Sequence, residues 1–405
     1  MGRLNLPPSS RVVESTTLTT CIALYWVLTF VDFDFVLSVS WLNDGSYLVR
    51  SAMLVAIAIY GRKSVVEITK ILPWIWIPVI SVCLPLLRSQ DALSELRGVV
   101  GLAVAIAVCL VMVKNPNSFF WGVVAGTSLL FAISATMLLL YGPDSAIFST
   151  RLGSEFEGQR YATLIGRSNL SIAQASGILI ALVTTFALAN RHCSRRLGVV
   201  TAIAFLVLVY AKSATFAVAT ALSVLTLPFG FMAGSRLRYV RLGAGALFVG
   251  LVAAVLLFIS LESLVGGGFA ITGRQDFSGR GLLWERSLDL AAQRPILGHG
   301  LITIGSPHNL YLQVFVAGGL PALISLLFVL LLAMMRAWFA APYLLPTLVL
   351  VVVASSTVSN SALPGPLGIV MVWSVVTALV VPPSSQPFRL TTSRRPGQRS
   401  GQLPA

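Results

Sequence analysis

Apolar stretches long enough to cross a bilayer recur from one end of this chain to the other, and they leave few architectures open to it. A helix needs about 20 mostly apolar residues to cross about 30 Å of hydrocarbon. Runs of this kind fall near residues 18–38, 46–61, 71–87, 95–113, 118–141, 168–190, 197–211, 214–233, 243–264, 309–335, 341–358 and 366–382. With 56% hydrophobic and 10% charged residues in a chain of 405, a soluble domain would expose far too much apolar surface. The expected fold is all-α, a polytopic membrane protein of about twelve transmembrane helices with a partly helical extracytoplasmic loop. Residues 1–382 are expected to form one membrane domain. Residues 383–405, rich in Pro, Ser and Arg, read as a disordered basic cytoplasmic tail.

Lys and Arg in the connections set the orientation, because positive loops stay on the cytoplasmic side. With both termini cytoplasmic, seventeen cations face two acids, Glu14 and Glu67, on the inner side, and eleven face twelve on the outer. The net charge of +14 therefore reports topology and contact with anionic membrane lipids, and it calls for no nucleic acid. The expected location is the inner, cytoplasmic membrane. Cys21, Cys83 and Cys109 lie in apolar runs and Cys193 in a basic connection, so no disulfide or zinc framework is indicated. The polar stretch 1–14 leads into an apolar run without a small-residue cleavage site, which predicts an uncleaved first helix.

Two outer connections, 141–167 and 265–308, are longer than the rest, and long loops in compact proteins commonly carry function. The second holds a polar island in a greasy chain. Between Gly281 and Gln293, Trp284, Leu288, Ala291 and Ala292 recur at helical spacing, which predicts an amphipathic helix lying on the membrane surface. Arg294-Pro295 and the glycines at 298, 300 and 305 then break the chain. Ser306 is the expected N-cap of the next helix and Pro307 its first residue, which puts His308 and Asn309 in the first turn at the outer face. The positive end of the helix dipole disfavours imidazolium there and favours a neutral His308 able to accept a proton, while a phosphate bound nearby would pull the other way. The same end favours an anion such as a phosphate oxygen.

The order Arg280, Trp284, Pro295, Gly298, Gly300, His308-Asn309, Gly318-Gly319 resembles the shared domain of the O-antigen ligase and O-antigen polymerase superfamily. Arg160, Gly166, Arg167 and Asn169 resemble that family's Arg, Gly and Asn pattern where a helix begins, and Lys212-Ser213 its short polar turn. The resemblance covers residues 160–332. It implies a transferase on the extracytoplasmic side that moves a glycan from a polyprenyl diphosphate carrier, such as undecaprenyl diphosphate, to an acceptor hydroxyl. The acceptor is a lipid core for a ligase and a carrier-linked glycan for a polymerase. A diphosphate is already a good leaving group and needs cations more than a general acid. Arginine suits this because its fork binds two phosphate oxygens and stays charged. A sugar hydroxyl is a poor nucleophile, and a base within reach helps by about 10²–10⁴-fold. On this reading His308 is the base, Asn309 orients base or acceptor, and Arg160, Arg167, Arg274 and Arg280 hold the diphosphate. No cofactor and no metal are expected.

Each residue also has a plainer reading. Arg280 could anchor the surface helix in headgroups, and Arg160, Arg167 and Arg274 could pair with Glu155, Glu157 and Asp276. Trp284 fits a membrane-interface anchor better than a sugar platform, and His192 and His299 are read as incidental. Asp32 and Asp34 offer a carboxylate or metal mechanism, but residues two apart do not share a helix face, and hard cations want several oxygen ligands. From another functional class, a polysaccharide flippase or transporter would place ionisable groups near the bilayer midplane and show internal repeats. Here the polar cluster is in an outer loop instead.

Overall fold

The structure, a computed structural model, describes residues 8–31, 40–77, 80, 92–141, 149–150, 160–161, 169–190, 194–211, 213–233, 280–300, 309–356 and 365–380. Its helices are α1 (Pro8–Phe30), α2 (Ser40–Tyr60), α3 (Arg62–Ile71), α4 (Ala92–Lys114), α5 (Pro116–Tyr141), α6 (Asn169–Asn190), α7 (Arg195–Tyr210), α8 (Ala214–Ala233), α9 (Arg280–Gln293), α10 (Leu310–Ala340), α11 (Leu345–Ser355) and α12 (Pro366–Val380). Short 3₁₀ turns occupy Pro73–Trp76 and Pro342–Leu344. Among the described residues the one departure from an all-helical fold is a two-residue antiparallel pair, Ser149–Thr150 with Arg160–Tyr161.

Three of these helices are long and apolar enough to cross a membrane, over Pro116–Leu140, Ser171–Asn190 and Leu310–Ala340. Shorter apolar helices include Thr16–Phe30, Gly45–Tyr60 and Val99–Lys114. The chain is thus a multi-pass membrane protein. The expected crossings are not all of full length. With 11 and 15 residues, α11 and α12 extend about 17 and 22 Å at 1.5 Å per residue, short of the hydrocarbon thickness. The expected third span begins differently too: α3 ends at Ile71 and Pro73 opens a 3₁₀ turn, since proline cannot continue the helical ladder. The expected ninth span, 243–264, and the tail 383–405 lie outside the described residues.

Local chemistry explains several boundaries. Asn115 ends α4 by donating its side-chain amide to the Val111 carbonyl at 2.9 Å, and its own carbonyl accepts from Phe119 to start α5. Pro116 follows at the first helical position, where its missing N–H loses nothing. The α1 and α5 helices pack closely because Gly122 and Gly126 present no side chain: a Cβ on Gly126 would come within 2.9 Å of the Ala23 carbonyl and of Trp26 Cβ. This Gly-x-x-x-Gly contact is a common way for membrane helices to approach. The buried Trp26 Nε1 then donates to Thr127 Oγ1 across the same seam at 3.0 Å.

At the centre stands α6, buried along almost its whole length and packed against α7, α8 and α11. Thr185 and Thr347 share a buried hydroxyl–hydroxyl bond between α6 and α11, which removes the penalty of two orphan hydroxyls in an apolar interior. Lys114 and Glu67 pair at 3.0 Å. Both belong to connections that the distribution of cations assigns to one side of the membrane.

Candidate functional site

The segment from Arg280 to Ala340 is organised around a break in α10. Gly319 holds φ 71 and ψ −171, a conformation open essentially only to glycine, and Pro321 follows with no N–H to give. A straight helix would put Tyr311 about 45 Å from Ala341 at 1.5 Å per residue. The Tyr311 hydroxyl, however, donates to the Val352 carbonyl at 2.9 Å. Through Val352, Tyr311 lies no more than about 30 Å from Ala341, given helical rise and side-chain reach. The helix therefore turns back by more than a right angle at Gly319. Residues 310–318 form a first arm folded over the bundle, and residues 320–340, about 31 Å of helix, suffice for the crossing by themselves. Exposure follows this division: Leu320, Ile324, Phe328 and Leu331 are exposed apolar residues, whereas Val316, Ala317, Gly318 and Gly319 are buried.

Breaking a helix leaves carbonyls without donors and N–H groups without acceptors. The preceding loop supplies both. His299 N–H donates to the Val316 carbonyl at 2.7 Å, Gly300 N–H donates to the Ala317 carbonyl at 3.0 Å, and Leu320 N–H donates to the Pro295 carbonyl at 2.7 Å. Two glycines make this approach possible. A Cβ on Gly298, itself at φ 67, would overlap the Ala317 carbonyl, and one on Gly319 would overlap that of Ile296. The glycine-rich spacing of residues 298–319 thus has a backbone cause: the loop replaces hydrogen bonds that α10 gives up.

Helix α9 is tied into the same unit. Arg294 N–H turns to the Ala291 carbonyl, and the Leu290 carbonyl, left open, receives the His299 ring at 2.7 Å. A carbonyl only accepts, so Nε2 of His299 carries the proton. His299 accordingly has a structural part, capping the end of α9, that neither its position nor the family resemblance signals. The buried face of α9 also differs from the expected one. Ser287 and Ala291 are buried, with Leu283 and Leu290 partly so, while Leu288 and Ala292 are exposed. The face shifts because α9 packs on α10 rather than lying only on lipid, and close helix contact favours the small Ser287 and Ala291.

Asn309 is the N-cap of the first arm, at φ −151 and ψ 111. Its Oδ1 accepts from Tyr311 N–H at 3.0 Å and Leu312 N–H at 3.1 Å. This corrects the expectation that Ser306 caps the helix and that His308 and Asn309 share its first turn. Asparagine caps as well as serine does, and the helix starts three residues later. The correction has two chemical consequences. The carboxamide oxygen is committed to the cap, which leaves the Nδ2 hydrogens as what Asn309 can offer. Two of the arm's first N–H groups are occupied, so an anion there would meet the dipole but not a full set of donors.

The other expected site residues are only partly within reach of the structure. His308, Arg167 and Arg274 lie outside the described residues. Arg160 pairs through its backbone with Thr150, and Arg280 begins α9, but the side chains of both lie outside the described residues too. Asp32, Asp34, Glu155 and Glu157 are likewise outside. The structure thus fixes the backbone frame next to His308 and the capping role of Asn309.

No curated protein matches the chain. Residues 197–327 match the family model described as O-Antigen ligase, a stretch that runs from α7 through α9, the glycine-rich loop and the break in α10. Over residues 197–327 this multi-pass membrane protein is thus similar to the O-antigen ligase family, which supports the O-antigen ligase and polymerase superfamily and a ligase- or polymerase-type membrane enzyme.

Proposed function

We propose that the protein is an O-antigen ligase-like glycosyltransferase of the inner membrane, with about twelve crossings and both termini cytoplasmic, acting on the extracytoplasmic face. The observation that carries this reading is the family match over residues 197–327, which includes His308, Asn309, Arg274 and Arg280. In the reaction, an acceptor hydroxyl attacks the anomeric carbon of a glycan on polyprenyl diphosphate. The carbon–oxygen bond to phosphate breaks, its electron pair leaves with the diphosphate, and the hydroxyl proton passes to His308. Arg160, Arg167, Arg274 and Arg280 hold the departing charge in the role that a divalent cation could otherwise fill, so the step needs no metal. Attack opposite the leaving group inverts the anomeric centre. Asn309 orients base or acceptor through its Nδ2–H groups, because the cap holds its oxygen.

Deleting the gene tests the reading against its rivals. Loss of a transferase leaves lipid-linked glycan on the outer leaflet. Uncapped lipid core on a gel of envelope glycans then indicates a ligase, and single repeat units on core indicate a polymerase with the same donor chemistry. Precursor held on the inner leaflet would mean a flippase and contradict the proposal.

A further inference from the structure

Tyr311 takes no part in the chemistry above, yet it determines where the Asn309 end of the first arm comes to rest. Its hydroxyl donates to the carbonyl of Val352 at 2.9 Å. That carbonyl is left open by the end of α11, since the Ser356 N–H that a continuing helix would send to it bonds the Val353 and Ala354 carbonyls instead. The tyrosine ring packs against the buried core, so both halves of the side chain are engaged.

The first arm is held at both ends. At Gly319 the three main-chain bonds to residues 295–300 fix it, and at Tyr311 the bond to Val352 does. Between the two points runs a stiff stretch of helix about 12 Å long at 1.5 Å per residue. Without the second attachment only side-chain packing, at Leu310 and Val314 among others, holds the far end of the arm, and over that length a pivot of about 5° moves its tip by about 1 Å. A shift of that size at a reacting group can lower a rate by about 10²-fold. Asn309 sits at that tip.

We propose that Tyr311 is a positioning residue for the transferase site: its bond to the end of α11 sets where Asn309, the cap of the same arm, meets the acceptor. The proposal rests on the transferase reading. Its role is to fix geometry in the loaded site, so its loss lowers kcat and leaves the KM for donor unchanged.

The test uses full-length protein in liposomes with a lipid-linked glycan and a glycolipid acceptor, with rates expressed per folded molecule. Tyr311→Phe is expected to lose about 10- to 100-fold in kcat at constant KM. Placing p-aminophenylalanine at position 311, which restores a donor at the same place, is expected to recover the rate. Leu130→Ala, which opens a cavity in α5, a helix packed chiefly on α1, is expected to lower thermal stability but not kcat. Wild-type kcat for Tyr311→Phe overturns the proposal, as does an equal kcat loss in Leu130→Ala. Where Tyr311→Phe does not fold, the p-aminophenylalanine protein carries the test, and a folded but slow enzyme overturns the positioning role. His308→Ala separates the two levels: transfer by wild type and none by His308→Ala supports the underlying reading independently, whereas an inactive wild type overturns both.

Discussion

Gly319→Ala is expected to be among the most damaging single substitutions in the chain, lowering the thermal unfolding temperature in detergent and abolishing glycan transfer together. Three effects add. The conformation at φ 71 and ψ −171 strains any residue with a Cβ, at about 1–3 kcal/mol. The added methyl would overlap the Ile296 carbonyl and approach the Pro295 oxygen to 2.8 Å, and both neighbours are backbone that cannot rotate away. Pushing the loop back then endangers the bonds from His299, Gly300 and Leu320, each worth about 0.5–1.5 kcal/mol net. The strain and the three bonds together come to about 2.5–7.5 kcal/mol, before the overlap itself. Gly101→Ala and Gly198→Ala serve as controls, because a Cβ at either meets nothing within 4 Å. Both sit inside helices, where alanine is the better residue, so these variants are expected to be as stable as wild type or slightly more so.

His308→Ala is expected to lower the transfer rate by about 10²–10⁴-fold, the usual worth of a positioned general base, while thermal unfolding stays close to wild type. The separation matters. His308 is the residue just before the Asn309 cap, and the cap bonds to Tyr311 and Leu312 do not depend on its side chain. A variant that unfolds would point to a packing role for the imidazole. A folded variant with wild-type turnover would remove it from the chemistry. Steady-state transfer to acceptor and accumulation of the lipid-linked donor report the same loss from two directions.

Helices announced by long unbroken apolar runs were legible with small error. The run 118–141 became Pro116–Tyr141, 168–190 became Asn169–Asn190, and 214–233 became Ala214–Ala233. Hydropathy fails where two structures share one apolar run. Residues 309–335 read as one continuous span, and the fold-back rests on Gly319 and Pro321, which an average over twenty residues hides. The signal was present in Gly318-Gly319-x-Pro321, since glycine and proline together are a usual cause of sharp kinks. The helix start shows another limit. Ser306-Pro307 and Asn309 both satisfy local capping rules, and those rules alone cannot decide between them. His299 was opaque for a related reason: its partner, the Leu290 carbonyl, becomes available only because α9 ends where it does. For the candidate site, residue types pointed to chemistry, and the structure adds the frame that carries Asn309.

Purified protein in liposomes, given lipid-linked glycan and an acceptor glycolipid on the outer side, tests the central claim most directly when phosphorus NMR follows the carrier. The account predicts that free polyprenyl diphosphate appears in step with glycan on the acceptor, with the anomeric configuration inverted. Intact lipid-linked glycan that changes leaflet, with no diphosphate released, would contradict it.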